Sequence, residues 1–375
     1  MNTHLNKYFD NACTSFPKPT EVAEYMVNHL KEGGSYGRAA YTRIINSTRV
    51  VEETRDLIGE LIGVKKVSNI AFDYNATSAI NKIINGFNFK HKKVLVSPLE
   101  HNAVMRPLYA LGLGIQTLPH DNDGFIRVDE LDPSLLRNID LVIVNHVSNV
   151  NGVIQPIASI KEAIKDLPLL VDASQSIGKV NFLANEWNID YAAFTGHKGL
   201  LGPTGTGGFY VKEPCSLTWT VSGGTGSNSD SFQMPTFMPD RFQAGTPNIT
   251  GIYGLLAAIK YKPDNSWGRK VFLSVIKDLS ENKKLKVLCA NNPKNQSDVF
   301  SLHPKNGDVS GFTHSLFTKF GIEVRSGLHC SPLAHKTLST FPTGTVRISL
   351  SPYHTNKNIR YLHESILNTI EMGSY

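Results

Sequence analysis

Two side chains stand out by type and spacing. Asp172 follows the apolar run Leu169-Leu170-Val171, and Lys198 comes 26 residues later, just past the next apolar run, Tyr191 to Phe194. An acid and a lysine that leave neighbouring strand ends and face one crevice suit an aldehyde cofactor such as pyridoxal 5'-phosphate (PLP). Its chemistry needs a lysine for a Schiff base and an acid that keeps the pyridine nitrogen protonated. A lysine near that cationic ring has a lowered pKa and can shuttle protons. On spacing alone, a plain ion pair between Asp172 and Lys198 is the leading reading. Cys13, Cys215, Cys289 and Cys330 are the only cysteines; none forms a CxxC pair and their spacing offers no zinc framework, so no metal site is expected.

The elements that must position these groups are legible as alternating patterns. Val94 to Val96, Asp140 to Val144, Leu169 to Val171, Tyr191 to Phe194 and Gly208 to Val211 are short apolar runs of strand length. Helical periodicity surrounds them: Val22, Tyr25, Met26 and Leu30 after Thr20 as N-cap; Val50 to Ile62 within Thr48 to Ile62; and Ala79, Ile80, Ile83 and Ile84 behind Thr77 or Ser78 as cap. Short apolar strands alternating with helices predict an α/β fold with a mainly parallel sheet covered on both faces. Polar residues just beyond the strand ends line the crevice of such a sheet. Here they include His101, Asn149, Asp172, Gln175, Thr195, His197 and Lys198. From Gly254 onward the pattern becomes helix-rich and then mixed, which predicts a smaller α+β C-terminal domain. We divide the chain into a large domain over 16–255 and a small one over 256–375, with the segment 1–15 packing near the latter. Ser222 to Ser231, rich in Gly and Ser, reads as a loop.

Composition narrows the classes. The chain has 375 residues, 41% of them hydrophobic, which is enough for a large core without disulfides. The formal charge of +6 is dispersed and comes with no reader motif, so nucleic acid is not an expected partner. No run approaches the roughly 18 apolar residues of a membrane span. The polar start, Met1 to Asp10, lacks an apolar signal core, so reduced thiols and a cytoplasmic location are expected.

Phe194-Thr195-Gly196-His197-Lys198 followed by Gly202-Pro203-Thr204-Gly205 resembles the Schiff-base segment of the cysteine desulfurase and selenocysteine lyase family, class V aminotransferase-like PLP enzymes of fold type I. Tyr8 to Ser15, Glu100 to Ala103, His146 to Gly152, Val171 to Gln175, Ala244 to Asn248, Arg325 to Cys330 and Val346 to Ser349 resemble further blocks in the same order. The resemblance implies that Lys198 forms the Schiff base, Asp172 pairs with the pyridine nitrogen and His101 stacks on the ring. It implies that Asn149 and Gln175 bond near the phenolic oxygen, and that Ala76, Thr77, Thr195 and His197 hold the phosphate with Thr246 from a neighbouring subunit of a homodimer. Arg347 would bind the substrate carboxylate, with Asn149 and Arg38 as further substrate-binding candidates. Cys330 would take the sulfur of L-cysteine as a persulfide, helped by cations such as Arg325 and protonated His329, and pass it to an acceptor protein. The segment is most similar to group II members, but Leu328 stands where they carry a further histidine, and Cys13 replaces a small residue. L-selenocysteine as substrate, or an aminotransferase, epimerase or C–S lyase in which Cys330 is not essential, are the alternatives.

Overall fold

In the computed structural model, residues 6–37 and 39–373 are described. Helices α1 (Thr20–Glu32) and α2 (Thr42–Leu61) lead into strand β1 (Ile70–Asp73), α3 (Ala76–Gly86), β2 (Lys93–Val96), α4 (Asn102–Ala110) and β3 (Gly114–Thr117). Then follow β4 (Leu141–Asn145), α5 (Ile157–Ile164), β5 (Leu169–Asp172), β6 (Tyr191–Thr195), β7 (Gly207–Val211) and α6 (Ile249–Lys260). The seven strands form one sheet in the order β1-β7-β6-β5-β4-β2-β3. All neighbours are parallel except the pairs made by β7, which runs antiparallel to both β6 and β1.

Burial on both faces explains why these strands read as continuous apolar runs. Along β4, Val142 and Val144 pack beneath Val51 and Ile58 of α2 and Ile157 and Ile160 of α5. Leu141 and Ile143 point the other way, into a core with Ile80 and Ile83 of α3 and Val104 and Leu108 of α4. The period of two along the strand thus feeds two helical layers. The β4, β5 and β6 ends carry the polar residues expected of a parallel sheet's ligand edge.

The remaining chain forms α7 (Arg269–Glu281), β8 (Leu285–Leu288), β9 (Val299–Pro304), α8 (Val309–Phe320), β10 (Arg325–Gly327), α9 (Pro332–Thr337), β11 (Thr345–Ser349) and α10 (Asn356–Met372). Its four-stranded antiparallel sheet has the order β10-β11-β9-β8. Phe272, Phe312, Leu316, Ile359 and Leu362 from α7, α8 and α10 cover it, and Phe9 inserts into the same core. Tyr8 bridges to Glu323 and Asp10 to Ser349, so the N-terminal segment lies along this smaller sheet. Helix α6 crosses the expected boundary at 255/256 while Ile252 and Leu255 belong to the large core. We propose that the division falls in the connector 261–268.

Local corrections concern helix starts. Pro19, not Thr20, occupies the α1 cap position, and α2 begins at Thr42 rather than Thr48. The α3 cap is Asn75, whose Oδ1 accepts from Ser78 N–H at 2.9 Å, so Ala76 and Thr77 form the first turn. Among the described residues no helix is long and apolar enough to cross a membrane.

Candidate active site

A cavity opens at the ligand edge of the large sheet. Its lining includes Ala76, Thr77, His101, Asn149, Asp172, Gln175, Thr195, His197 and Lys198. The sheet explains the convergence: Asp172 closes β5, Thr195 closes β6, and Lys198 sits in the loop that turns into β7. Gly196 N–H donates to Thr206 O (2.8 Å) and Gly202 N–H to Gly196 O (2.8 Å), tightening the turn around Lys198. β7 then passes very close to α3. A Cβ on Gly207 would lie 2.9 Å from Asn75 Cα and 2.7 Å from Phe194 O, so only glycine lets the α3 first turn meet the cavity.

Lys198 and Asp172 make no direct ion pair, which removes the plain reading offered by their spacing. The lysine is deep in the protein, and its residual exposure faces the cavity and a second one behind it. Burial pushes its amine from 10.5 down to about 8; Asp172 opposes this, and Arg347 and Lys179 add to it. Asp172 Oδ1 accepts from Ser174 N–H (2.9 Å) and Ser174 Oγ (2.5 Å), which fixes the carboxylate plane.

His101 is the N-cap of α4. Its Nδ1 accepts from Ala103 N–H at 3.0 Å, so the ring proton sits on Nε2. Burial, then Lys198, pushes its pKa to about 4, so the imidazole is neutral at pH 7. His197 behaves similarly: burial, then Lys198 and Lys18, brings it to about 4. His197 Nδ1 and Gln175 Oε1 are buried without partners. Gln175 Nε2 donates to Ala12 O (2.7 Å), tying the N-terminal segment to the cavity wall. The Thr195 hydroxyl reaches Thr206 O at 3.4 Å.

Arg347 is buried on β11. Its Nη2 pairs with Asp10 Oδ1 (2.8 Å), its Nη1 donates to Asn149 O (3.3 Å), and its Nε is buried and unpartnered. Arg325 lies directly across the β10–β11 pair and takes Asp10 Oδ2 (2.9 Å), so one carboxylate bridges two facing guanidiniums. Without it, like charges would oppose each other across the strands.

Cys330 is exposed in the turn between β10 and α9. Its carbonyl accepts from Asn102 N–H at 2.8 Å, which fastens the backbone of the thiol's residue to the start of α4, one residue past the cavity-lining His101. His329 cannot supply the expected cation. It is buried, its Nε2–H donates to Thr345 O (3.1 Å), and burial followed by Arg347 pushes its pKa well below the ordinary range. Arg325 is likewise committed to Asp10. Asn149 lines the cavity, and its amide also clasps the cysteine loop, with Nδ2 donating to His329 O (2.9 Å) and Oδ1 accepting from Ser331 Oγ (2.9 Å).

Thr246 lines a separate neighbouring cavity with Gly205, Thr206 and Asn248, and Arg38 lies outside the described residues. Asn145, Ser174 and Asp10 were missed by sequence reasoning. Asn145 and Ser174 sit at the same strand ends as the residues found, so the strand-end rule reaches them; Asp10 has no local signal. Among the described residues no group of three or more His, Cys, Asp or Glu could hold a metal ion.

The model of the aminotransferase class-V family matches residues 7–362. A "Probable cysteine desulfurase" of Methanothermobacter thermautotrophicus is 32% identical, covering 98% of this chain and 95% of the relative. Another of that name, from Pyrococcus abyssi, is 30% identical over 97% of this chain and 93% of its own length. The apo structure of the cysteine desulfurase of Thermococcus onnurineus superimposes with a TM-score of 0.86 at 27% identity, covering 97% of this chain and 94% of that one. With its parallel-sheet cavity, the lysine that lines it and the strand-end acid, this chain belongs to the class-V aminotransferase family, on the side of its cysteine desulfurases.

Proposed function

We propose that the protein is a PLP-dependent cysteine desulfurase that converts L-cysteine to L-alanine and takes the sulfur on Cys330. The observation that carries this is the convergence of Lys198, Asp172, Gln175 and His197 on one cavity that leaves Gln175 Oε1 and His197 Nδ1 buried without partners. Buried polar atoms are normally paired, and these fit the polar groups of a phosphorylated pyridine. Asp172 would face the ring nitrogen, Lys198 the aldehyde, and His101 the ring face. Thr77, Thr195, His197 and the Ala76 and Thr77 N–H groups would hold the phosphate at a helix start that favours anions. When bound, the cofactor supplies an electron sink that stabilises negative charge at the substrate Cα.

The chain's own residues do the rest. Arg347, with Nε free, receives the substrate carboxylate through charge-assisted hydrogen bonds. Lys198, its pKa lowered by burial to about 8, is neutral far more often than an ordinary lysine, and its Nζ can take the Cα proton and return it. His101 presents Nε2–H to the cavity as a neutral donor. Cys330 Sγ, as thiolate, attacks the substrate sulfur. The S–S bond forms as the Cβ–S bond breaks, the bond's electron pair stays on carbon, and a proton there completes alanine. The persulfide sulfur is then available to an acceptor protein.

Thr246 does not reach the cavity of its own chain, and this supports a homodimer in which it serves the neighbouring subunit. Four unpaired cysteines suit a reducing, cytoplasmic setting, because the nucleophile must be free before each turnover. The test is incubation of the purified holoenzyme with L-cysteine and mass analysis of the Cys330 peptide. One added sulfur atom, released by dithiothreitol, is expected; an unmodified peptide during active alanine formation would refute the assignment.

A further inference from the structure

Cys330 occupies an unusual backbone state. His329 has φ 48° and Cys330 φ 57°, two consecutive side-chain-bearing residues in the left-handed region. Residues with a Cβ rarely adopt that region, and a glycine would adopt it freely. Such strain persists only when the surroundings over-determine it, and it gathers at functional sites.

The restraints are specific. Asn149 Nδ2 donates to the carbonyl just before Cys330, that of His329, and Asn149 Oδ1 accepts from the hydroxyl just after it, that of Ser331, both at 2.9 Å. One amide therefore grips the loop on either side of the cysteine. Asn149 and Ser331 are buried, 5% and 0% exposed, so neither bond is traded with water. Ser331 N–H donates to Leu328 O (2.8 Å) and Asn102 N–H to Cys330 O (2.8 Å), closing the loop onto α4. Asn149 also accepts from Arg347 at its backbone carbonyl, so the grip is continuous with the carboxylate-binding arginine.

We propose that Ser331 and Asn149 form a latch that holds Cys330 in its left-handed conformation, and that Ser331 is thereby a positioning residue for the sulfur-accepting thiol. The inference rests on the reading of Cys330 as nucleophile. Without the latch the loop relaxes toward ordinary backbone angles, and the thiol loses its fixed position.

The test compares wild-type holoenzyme with Ser331→Ala and Ser331→Thr. Peptide-resolved iodoacetamide labelling reports Cys330 mobility without reference to turnover, and steady-state kinetics report its placement. Ser331→Ala should label at Cys330 about tenfold faster and lose about tenfold in kcat, the equivalent of one buried hydrogen bond, with KM and the visible cofactor band held. Ser331→Thr, which keeps the hydroxyl, should restore most of both. Unchanged labelling and kcat in Ser331→Ala would overturn the latch, as would a loss that Thr fails to restore while the variant remains folded. Should Ser331→Ala not fold, Ser331→Gly, which removes the same hydroxyl, takes its place under the same criteria. Alanine formation that survives Cys330→Ala would instead defeat the nucleophile reading, while the labelling result would stand on its own.

Discussion

Capture of PLP by Lys198 requires a neutral amine, and the structure places that amine at a pKa of about 8 instead of 10.5. At pH 7 about one lysine in ten is then neutral, against about three in ten thousand for an ordinary lysine, a gain of roughly 300-fold. The cause is burial first, opposed by Asp172 and reinforced by Arg347 and Lys179. Lys179 lies behind the site, where it pairs with Asp298 at 2.8 Å, so its removal leaves the cofactor's own contacts intact. Stopped-flow growth of the visible band after mixing cofactor-free protein with PLP, repeated across pH, reads the titration directly. The rate should rise with pH and level off above about 8. Lys179→Ala takes away a neighbouring positive charge, so the midpoint should move up and the rate at pH 7 should fall. A midpoint that stays near the ordinary lysine value, or that moves down in Lys179→Ala, would refute the assignment of this pKa to burial among like charges.

Arg347→Ala should raise KM for L-cysteine roughly 10- to 100-fold, the loss of a charge-assisted contact, while the visible band of the bound cofactor stays unchanged. Gly207→Ala forces a Cβ to 2.9 Å from Asn75 Cα, and should cost about 1–3 kcal/mol of stability and speed cofactor loss, read by thermal melting and dialysis. His146 is enclosed against Phe182 and Trp187, and burial alone depresses its pKa to about 3. The unfolded chain takes up this proton below about pH 6.5 and the folded chain does not, so stability is full above that pH and falls by about 1.4 kcal/mol per pH unit toward pH 3. Urea unfolding of His146→Gln should show a correspondingly shallower acid decline.

Most of the large sheet was legible because its central strands are buried on both faces and read as short apolar runs. β3 escaped notice for the opposite reason: Gly114–Thr117 is an edge strand, mostly exposed and half polar. β1, only four residues long, was hidden by the loop around it. The strands of the smaller sheet give a weaker signal, since most are short and mix polar with apolar residues. The α3 start is ambiguous in sequence because Asn75, Thr77 and Ser78 all offer capping groups, and only the fold decides which of them caps the helix. Site residues at strand ends, such as Asp172 and Lys198, follow from topology. The charge state of His329 and the bridge from Asp10 to two arginines depend on burial and on contacts between distant parts of the chain, which no local pattern encodes.

The central claim is that sulfur leaves L-cysteine by attack of Cys330. The most direct measurement is alanine formation from L-cysteine by Cys330→Ala holoenzyme with dithiothreitol present, beside wild type at equal cofactor loading. Loss of the nucleophile should lower the rate by at least about 100-fold with the visible cofactor band retained. Alanine formed at the wild-type rate would contradict the account and leave a PLP lyase that has no need of this thiol.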